Sequence, residues 1–524
     1  MKKQLLTAAI LCCLVIAGST AAPKSAKKKP KIPVSRVQTH MDGYLGDRID
    51  ACIRVRVCSE DPDLLVAPMR RQTETSLWQS EFWGKWTLGA IASYRYNKDP
   101  ELLRKIEGGV ESLLAAQQPD GYIGNYAPEA QLTNWDVWGR KYTMLGLLAY
   151  YDLTGDKKAL DGAVRLADHL LTQIPAVRQI ERTGIYRGMS SCSILEPIML
   201  YNRTLDEKYL DFARYIVDRM ESADGPQLIA KALDGVPVSE RFPLDDPSRG
   251  WFVWENGQKA YEMMSCYDGL LELYKVTNDP RYLKAVEATV TSIIADEINI
   301  AGSGSSFECF YKGKALQTEP AYHTMETCVT MTWMKLCYDL LRLTRNPLYA
   351  DQIERSAYNA LAASMKEDAS QIAKYSPLEG ARSAGEEQCG MHVNCCNMNG
   401  PRAFALLPEA AVTDYGDELF VNLYGPMSST VRLDGGEVLL EQATSYPEQG
   451  DIEIMIDPRK SFEFTVSLRI PAWSAVSMVT VNGQSVDGAT PGEYLRLKRR
   501  WEAGDRIGVK LDMRGRLIRR GGFQ

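Results

Sequence analysis

Histidine is scarce in this chain: four in 524 residues, His40, His169, His323 and His392. That leaves most metal ligation and acid–base work to thiols and carboxylates. A lone histidine is more often a satisfied structural residue than a ligand, so His323 and His392 stay outside the ligand set proposed below. Positive charge is not in excess. Sixty-one Lys and Arg face 67 Asp and Glu, a formal charge of −6, with no basic stripe interleaved with aromatics. This argues against nucleic acid as a partner. A long apolar run is missing everywhere except the N-terminus, which argues against membrane insertion once that segment is removed.

The N-terminus itself reads as a signal for export. Lys2 and Lys3 precede an apolar core, Leu5 to Ile16, too short to span a bilayer. The small residues Ala17 to Ala22 follow as a cleavage region. Leu11 before Cys12 fits a lipoprotein signal poorly, so the expected destination is a bacterial periplasm. The expected organisation is a signal peptide over 1–22 and a disordered Lys/Pro-rich leader over 23–36. A helical domain follows over 37–410, then a β-domain over 411–524 that stops soon after a strand-like stretch, Arg506 to Met513.

Between these ends the chain repeats itself. Tyr94–Leu102, Tyr151–Leu160, Tyr201–Leu210, Tyr274–Leu283 and Leu341–Tyr349 share one pattern. An apolar helix ends, a short polar turn follows, and Asp or Asn caps the next helix, in several copies with Pro at its first position. Helix pairs recurring roughly every 50 to 70 residues make a solenoid or a closed toroid. The irregular spacing and long loops favour a closed (α/α) barrel with a cleft at one end. Beyond about residue 410 the period changes to two, as in Ile452, Ile454 and Ile456. Asp434-Gly435 and Asn482-Gly483 are hairpin turns. The fold class is therefore mainly α, followed by an antiparallel β-sandwich.

Twelve cysteines less Cys12 and Cys13 leave ten in the mature chain, crowded between Cys309 and Cys396. A chain this large needs no stapling, although Cys52 and Cys58 are close enough in sequence to pair. The adjacent thiols Cys395 and Cys396 are constrained against pairing with each other but can face one ion. With Met325-Glu326-Thr327-Cys328 they offer one oxygen and three sulfurs, a donor set suited to a borderline-soft divalent ion such as Zn2+. Such a site can be structural, or it can hold a thiolate ready for nucleophilic attack.

These motifs together carry a resemblance. Glu326-Thr327-Cys328, then Ile353-Glu354-Arg355-Ser356-Ala357-Tyr358-Asn359, then Cys395-Cys396 with Asn399 and Arg402, and Ile470-Pro471-Ala472-Trp473 in the β-region, resemble glycoside hydrolase family 127. The resemblance implies an (α/α)6 barrel with β-sandwich material after it, and a retaining, exo-acting β-L-arabinofuranosidase-like activity on plant cell-wall oligosaccharides such as pectin side chains. It implies zinc held by Glu326, Cys328, Cys395 and Cys396, with Cys395 as nucleophile. The family's acid/base glutamate lies shortly before Glu-x-Cys in a Glu-x-Phe setting; Glu308-Cys309-Phe310 fits better than Glu319, which precedes Pro320. Glu354 matches a sugar-contacting glutamate, with Tyr358 on the same helix face. The family's histidines are replaced here, by Trp138-Gly139-Arg140-Lys141 at one such stretch. Arg140 and Lys141 would suit the carboxylate of an acidic sugar. A carbohydrate-binding protein with a structural zinc site is the alternative to an enzyme.

Overall fold

In the computed structural model, residues 36–193, 195–242, 258–317, 323–385 and 387–518 are described. The signal, nearly all of the leader, and Glu319 fall outside them.

The repeat seen in the sequence is a helix–turn–helix with one recurring backbone solution. The inner helix of each pair ends on a left-handed residue: Lys98, Gly155, Leu205, Asn278 or Arg345, with φ of 56°, 75°, 57°, 56° and 57°. The next residue caps the outer helix. Asp99, Asp156, Asp206, Asp279 and Asn346 each accept, through Oδ1, from the backbone N–H two residues on. The left-handed residue closes one helix, and the side-chain carbonyl satisfies a donor that the next helix leaves open.

Six inner helices, Ser80–Asn97, Asp136–Thr154, Leu195–Thr204, Ala260–Thr277, Thr327–Thr344 and Cys395–Ala411, contact one another in sequence order. The last packs on the first, so the ring closes as an (α/α)6 barrel. Outer helices bury a single stripe, as Leu102, Ile106, Val110 and Leu113 do in Pro100–Ala115. The outer position beside Cys395–Ala411 is filled from the other end of the chain, by Gly43–Cys52. Gly84 lets the first two inner helices approach closely; a Cβ there would sit 2.3 Å from the Tyr142 carbonyl oxygen.

The β-region comprises β1 (Val37–Met41), β2 (Val412–Tyr415), β3 (Glu418–Val421), β4 (Met427–Leu433), β5 (Gly436–Thr444), β6 (Asp451–Pro458), β7 (Phe462–Arg469), β8 (Met478–Val481), β9 (Gln484–Val486), β10 (Tyr494–Trp501) and β11 (Asp505–Lys510). One sheet runs β1-β4-β5-β6-β11-β8-β9, the other β10-β7-β3-β2. Two expectations need correction. Residues 37–41 are not the start of the barrel but an edge strand, antiparallel to β4. Arg36, assigned to the leader, is tied to Asp414 at 3.0 Å. The sheets are antiparallel as expected, with one parallel pair, β3 beside β7. The hairpin turns are where the sequence places them: Asn482 and Gly483, at φ 51° and 79°, join β8 to β9.

The barrel and the β-region share a buried ionic joint. Arg469, at the end of β7 and fully buried, pairs with Asp351 and lies 2.7 Å from Glu354 Oε1. Glu354 also accepts from Tyr446 Oη (2.9 Å) and Trp473 Nε1 (2.8 Å). Arg469→Met strands two buried carboxylates and is expected to cost about 3–5 kcal/mol. Urea unfolding monitored by tryptophan fluorescence checks this; a loss below about 1 kcal/mol would show the joint to be dispensable.

Candidate active site

The N-termini of two inner helices converge on one cluster. Cys395 and Cys396 open the helix Cys395–Ala411, whose cap Asn394 accepts through Oδ1 from Asn397 N–H at 2.8 Å. Glu326 stands at the cap position of Thr327–Thr344, and Cys328 lies in its first turn. One donor atom from each of Glu326, Cys328, Cys395 and Cys396 lies within 4.8 Å of the others, and all four residues are buried. Cys396 Sγ is 3.4 Å from Cys328 Sγ and 3.9 Å from Cys395 Sγ. Glu326 Oε1 is 3.5 Å from Cys396 Sγ and 3.8 Å from Cys395 Sγ. Around a tetrahedral ion, thiolates at ~2.3 Å stand about 3.8 Å apart, and a thiolate and a carboxylate oxygen about 3.5 Å apart. The donor set and its spacings therefore fit such an ion. Burial pushes the Cys328 and Cys396 thiols well above their ordinary range. Cys395, hydrogen-bonded by those two and facing Lys85 and Lys374, is held well below it.

A tight turn brings Glu308 to this cluster. Ser305, Phe307 and Glu308 adopt φ of 124°, 48° and 65°, conformations costly for residues with a Cβ. The turn pairs with the segment just before Glu326: Phe307 N–H donates to the His323 carbonyl (3.2 Å), Met325 N–H to that of Ser305 (3.2 Å). Lys259 Nζ donates to Glu308 Oε2. Lys374 Nζ lies 3.0 Å and Tyr375 Oη 2.9 Å from Oε1. Burial alone would raise the Glu308 carboxyl, but the two ammoniums outweigh it and hold it well below the usual range. Lys374 also bridges to the cluster through its backbone. Its carbonyl accepts from Thr327 N–H at 3.0 Å and lies 3.9 Å from Cys396 Sγ.

Several residues of the site were not singled out in the sequence. Lys85 Nζ, buried, is 2.8 Å from Glu81 Oε1 and 3.9 Å from Cys328 Sγ. Trp138 Nε1 donates to the other oxygen of Glu81. Burial pushes the Glu81 carboxyl up to about 7, against the pull of Lys85. Tyr142 and Tyr261 share a hydroxyl–hydroxyl contact beneath Lys85. Glu81-x-x-x-Lys85 looks like an ordinary solvated i,i+4 pair; only the closed ring turns it inward. Lys374 carried no local signal at all.

Four proposed substrate contacts are placed elsewhere. Arg140 is fully buried and spent on Asp136 (2.6 Å), Gln173 (2.7 Å) and Gln131 (3.3 Å). Lys141 is buried against Ser265 Oγ and the Trp138 ring, 4.6 Å from its centroid. Both side chains are buried and already partnered within the protein. Glu354 spends both oxygens on the joint with the β-region, and Tyr358 Oη donates to the Tyr424 carbonyl at 3.1 Å. One helix face does carry both residues, but that face meets the sandwich. His392 pairs with Glu60 at 2.8 Å. Cys52 and Cys58 are free thiols.

Comparison with known proteins agrees with this arrangement. The family profile described as "Beta-L-arabinofuranosidase, GH127 catalytic domain" matches residues 47–409, and the corresponding GH127 middle domain matches 418–513. A curated relative, the non-reducing end β-L-arabinofuranosidase of Bifidobacterium longum subsp. longum, is 23% identical over 479 residues, covering 83% of this chain and 71% of its own. A solved GH127 β-L-arabinofuranosidase from Geobacillus stearothermophilus T6 superposes with a TM-score of 0.72 at 23% identity, over 91% of this chain and 81% of its own. A second solved GH127 β-arabinofuranosidase gives 0.68 at 23% identity and the same coverage. With both domain profiles matched in order and the Glu/Cys cluster assembled between two inner helices, this chain belongs to glycoside hydrolase family 127.

Proposed function

We propose that this glycoside hydrolase releases a non-reducing-end L-arabinofuranose, or a related sugar with acidic ones included, from plant cell-wall oligosaccharides with retention of configuration. The observation that carries the reading is the convergence of Glu308 on the Glu326/Cys328/Cys395/Cys396 cluster at one end of the helical ring. The relative's printed activity supports the sugar and the exo mode.

Zinc is the ion this donor set suits, and when bound it would keep the thiols deprotonated and soften the repulsion among four anionic ligands. The remaining work falls to the chain. Cys395 is the nucleophile. Its Sγ forms a bond to the anomeric carbon as the glycosidic C–O bond breaks, and Glu308 gives its proton to the departing oxygen. Glu308, now a carboxylate, takes a proton from water as the water oxygen bonds to the anomeric carbon and the C–S bond breaks. The second half wants an ionised Glu308, the form that Lys259 and Lys374 favour. The first half wants it protonated. A glycosidic oxygen inserted beside the carboxyl separates it from an ammonium and so shifts it toward the protonated form.

Glu308→Gln is expected to lower kcat on a β-L-arabinofuranosyl disaccharide by about 10²–10⁴-fold, and Cys395→Ser at least as much. Near-normal turnover by either variant would refute the assigned roles. Proton NMR of the wild-type reaction should show the β-anomer of the released sugar first; α-anomer first would mean inversion. Elemental analysis should find one divalent ion per chain, and a chelator should make Cys328, Cys395 and Cys396 reactive toward an alkylating reagent in the folded protein. Labelling of all three thiols before chelation would count against a metal site.

A further inference from the structure

A chain of aromatic side chains that the mechanism does not use adjoins the site. Trp135 is the hub. Its ring centroid lies 5.5 Å from Trp78, 5.8 Å from Trp138 and 6.2 Å from Tyr186, each pair edge-on. Trp138 is buried and bonded to Glu81, so this branch leads inward to Lys85 and Cys328. Tyr186 leads to the other catalytic group: Lys259 Nζ stands 5.5 Å from its ring and donates to Glu308. Trp78, Trp135 and Tyr186 are themselves part-exposed. This aromatic chain thus starts at both halves of the reacting centre and runs outward to solvent.

The loops that carry it are held in costly conformations. Leu132, Asn134, Tyr186 and Arg187 have φ of 62°, 47°, 55° and 54°. Surrounding bonds brace them. Leu132 N–H donates to Asp136 Oδ2 (2.8 Å), Trp135 N–H to Tyr126 Oη (3.1 Å), and Asn134 Nδ2 to the Thr75 carbonyl (3.0 Å), tying the Trp135 loop to the one bearing Trp78. These rings keep part of their surface in water beside the reacting groups, and Tyr186 does so at a left-handed φ of 55°, which packing alone does not require.

We infer that Trp78, Trp135 and Tyr186 form a stacking platform for the sugar ring on the leaving side of the scissile bond. Its ligand is a neutral furanose or pyranose presenting an apolar C–H face, because the exposed rings offer aromatic surface rather than charge. The inference rests on the glycosidase reading above.

The test compares two substrates, a β-L-arabinofuranosyl disaccharide and methyl β-L-arabinofuranoside, whose leaving group has no ring to stack. For Trp135→Ala, the ratio of kcat/KM on the disaccharide to that on the methyl glycoside should fall about tenfold, chiefly through KM of the disaccharide. Trp135→Phe should restore most of the ratio, and Trp78→Ala should lower it as well. An unchanged ratio in Trp135→Ala, whether activity is kept or lost equally on both substrates, overturns the platform. A wild-type enzyme inert toward both substrates overturns the activity assignment, and the platform with it.

Discussion

Four groups that repel one another as anions are held within 4.8 Å in a place with almost no water. That constraint governs the end of the barrel where they meet. Three thiolates and a carboxylate can share such a space only if something opposes their charge. The fold supplies two kinds of opposition. Two inner helices direct their N-termini, each the positive end of a helix dipole, at the cluster. Ammoniums then flank it, buried Lys85 beside Cys328 and part-buried Lys374 beside Glu308. A divalent ion of the kind the spacing fits would complete the balance. Hydrogen bonds from Cys328 and Cys396, with Lys85 and Lys374 facing it, favour the thiolate on Cys395.

Placing a second acid next to that cluster costs backbone conformation. Glu308 sits on a turn with three left-handed non-glycine residues, held in place by pairing with the strand-like stretch that ends at Glu326. The ring around it opposes relaxation of that turn: six inner helices close on themselves, and the first five are joined to their outer partners by the same left-handed residue and Asp or Asn cap. Arg469 extends this rigidity to the sandwich, where Glu354 and Asp351 anchor the last complete helix pair. Glu354 is thereby fixed by Arg469, Tyr446 and Trp473.

Features set by local chemistry were readable from the residues in order. The helix pairs announced themselves through Asp-Pro and Asn-Pro turns, because capping is decided by two or three neighbouring residues. The switch to strands showed in Ile452, Ile454 and Ile456, and the β8–β9 hairpin in Asn482-Gly483. Glu326-x-Cys328 and Cys395-Cys396 stood out because such thiols have few other uses. Misreadings arose where a residue's meaning depends on what packs against it. Val37–Met41 is a strand only because β4 offers an open edge nearly 400 residues later in the chain. Arg140 and Lys141 read as free cations in the sequence, and the fold buries both against partners of its own.

The sequence by itself thus determined the periodic scaffold and the ligand types, since turn chemistry and thiol pairs act over a few residues. Ring closure was decided only in three dimensions, with Gly43–Cys52 from the start of the chain packing on Cys395–Ala411 near the barrel's end. Closure is what turned Lys85, Lys259 and Lys374 from ordinary lysines into the charges around Cys395 and Glu308. An ammonium acquires such a role only when burial removes water and leaves it a single anionic neighbourhood to face.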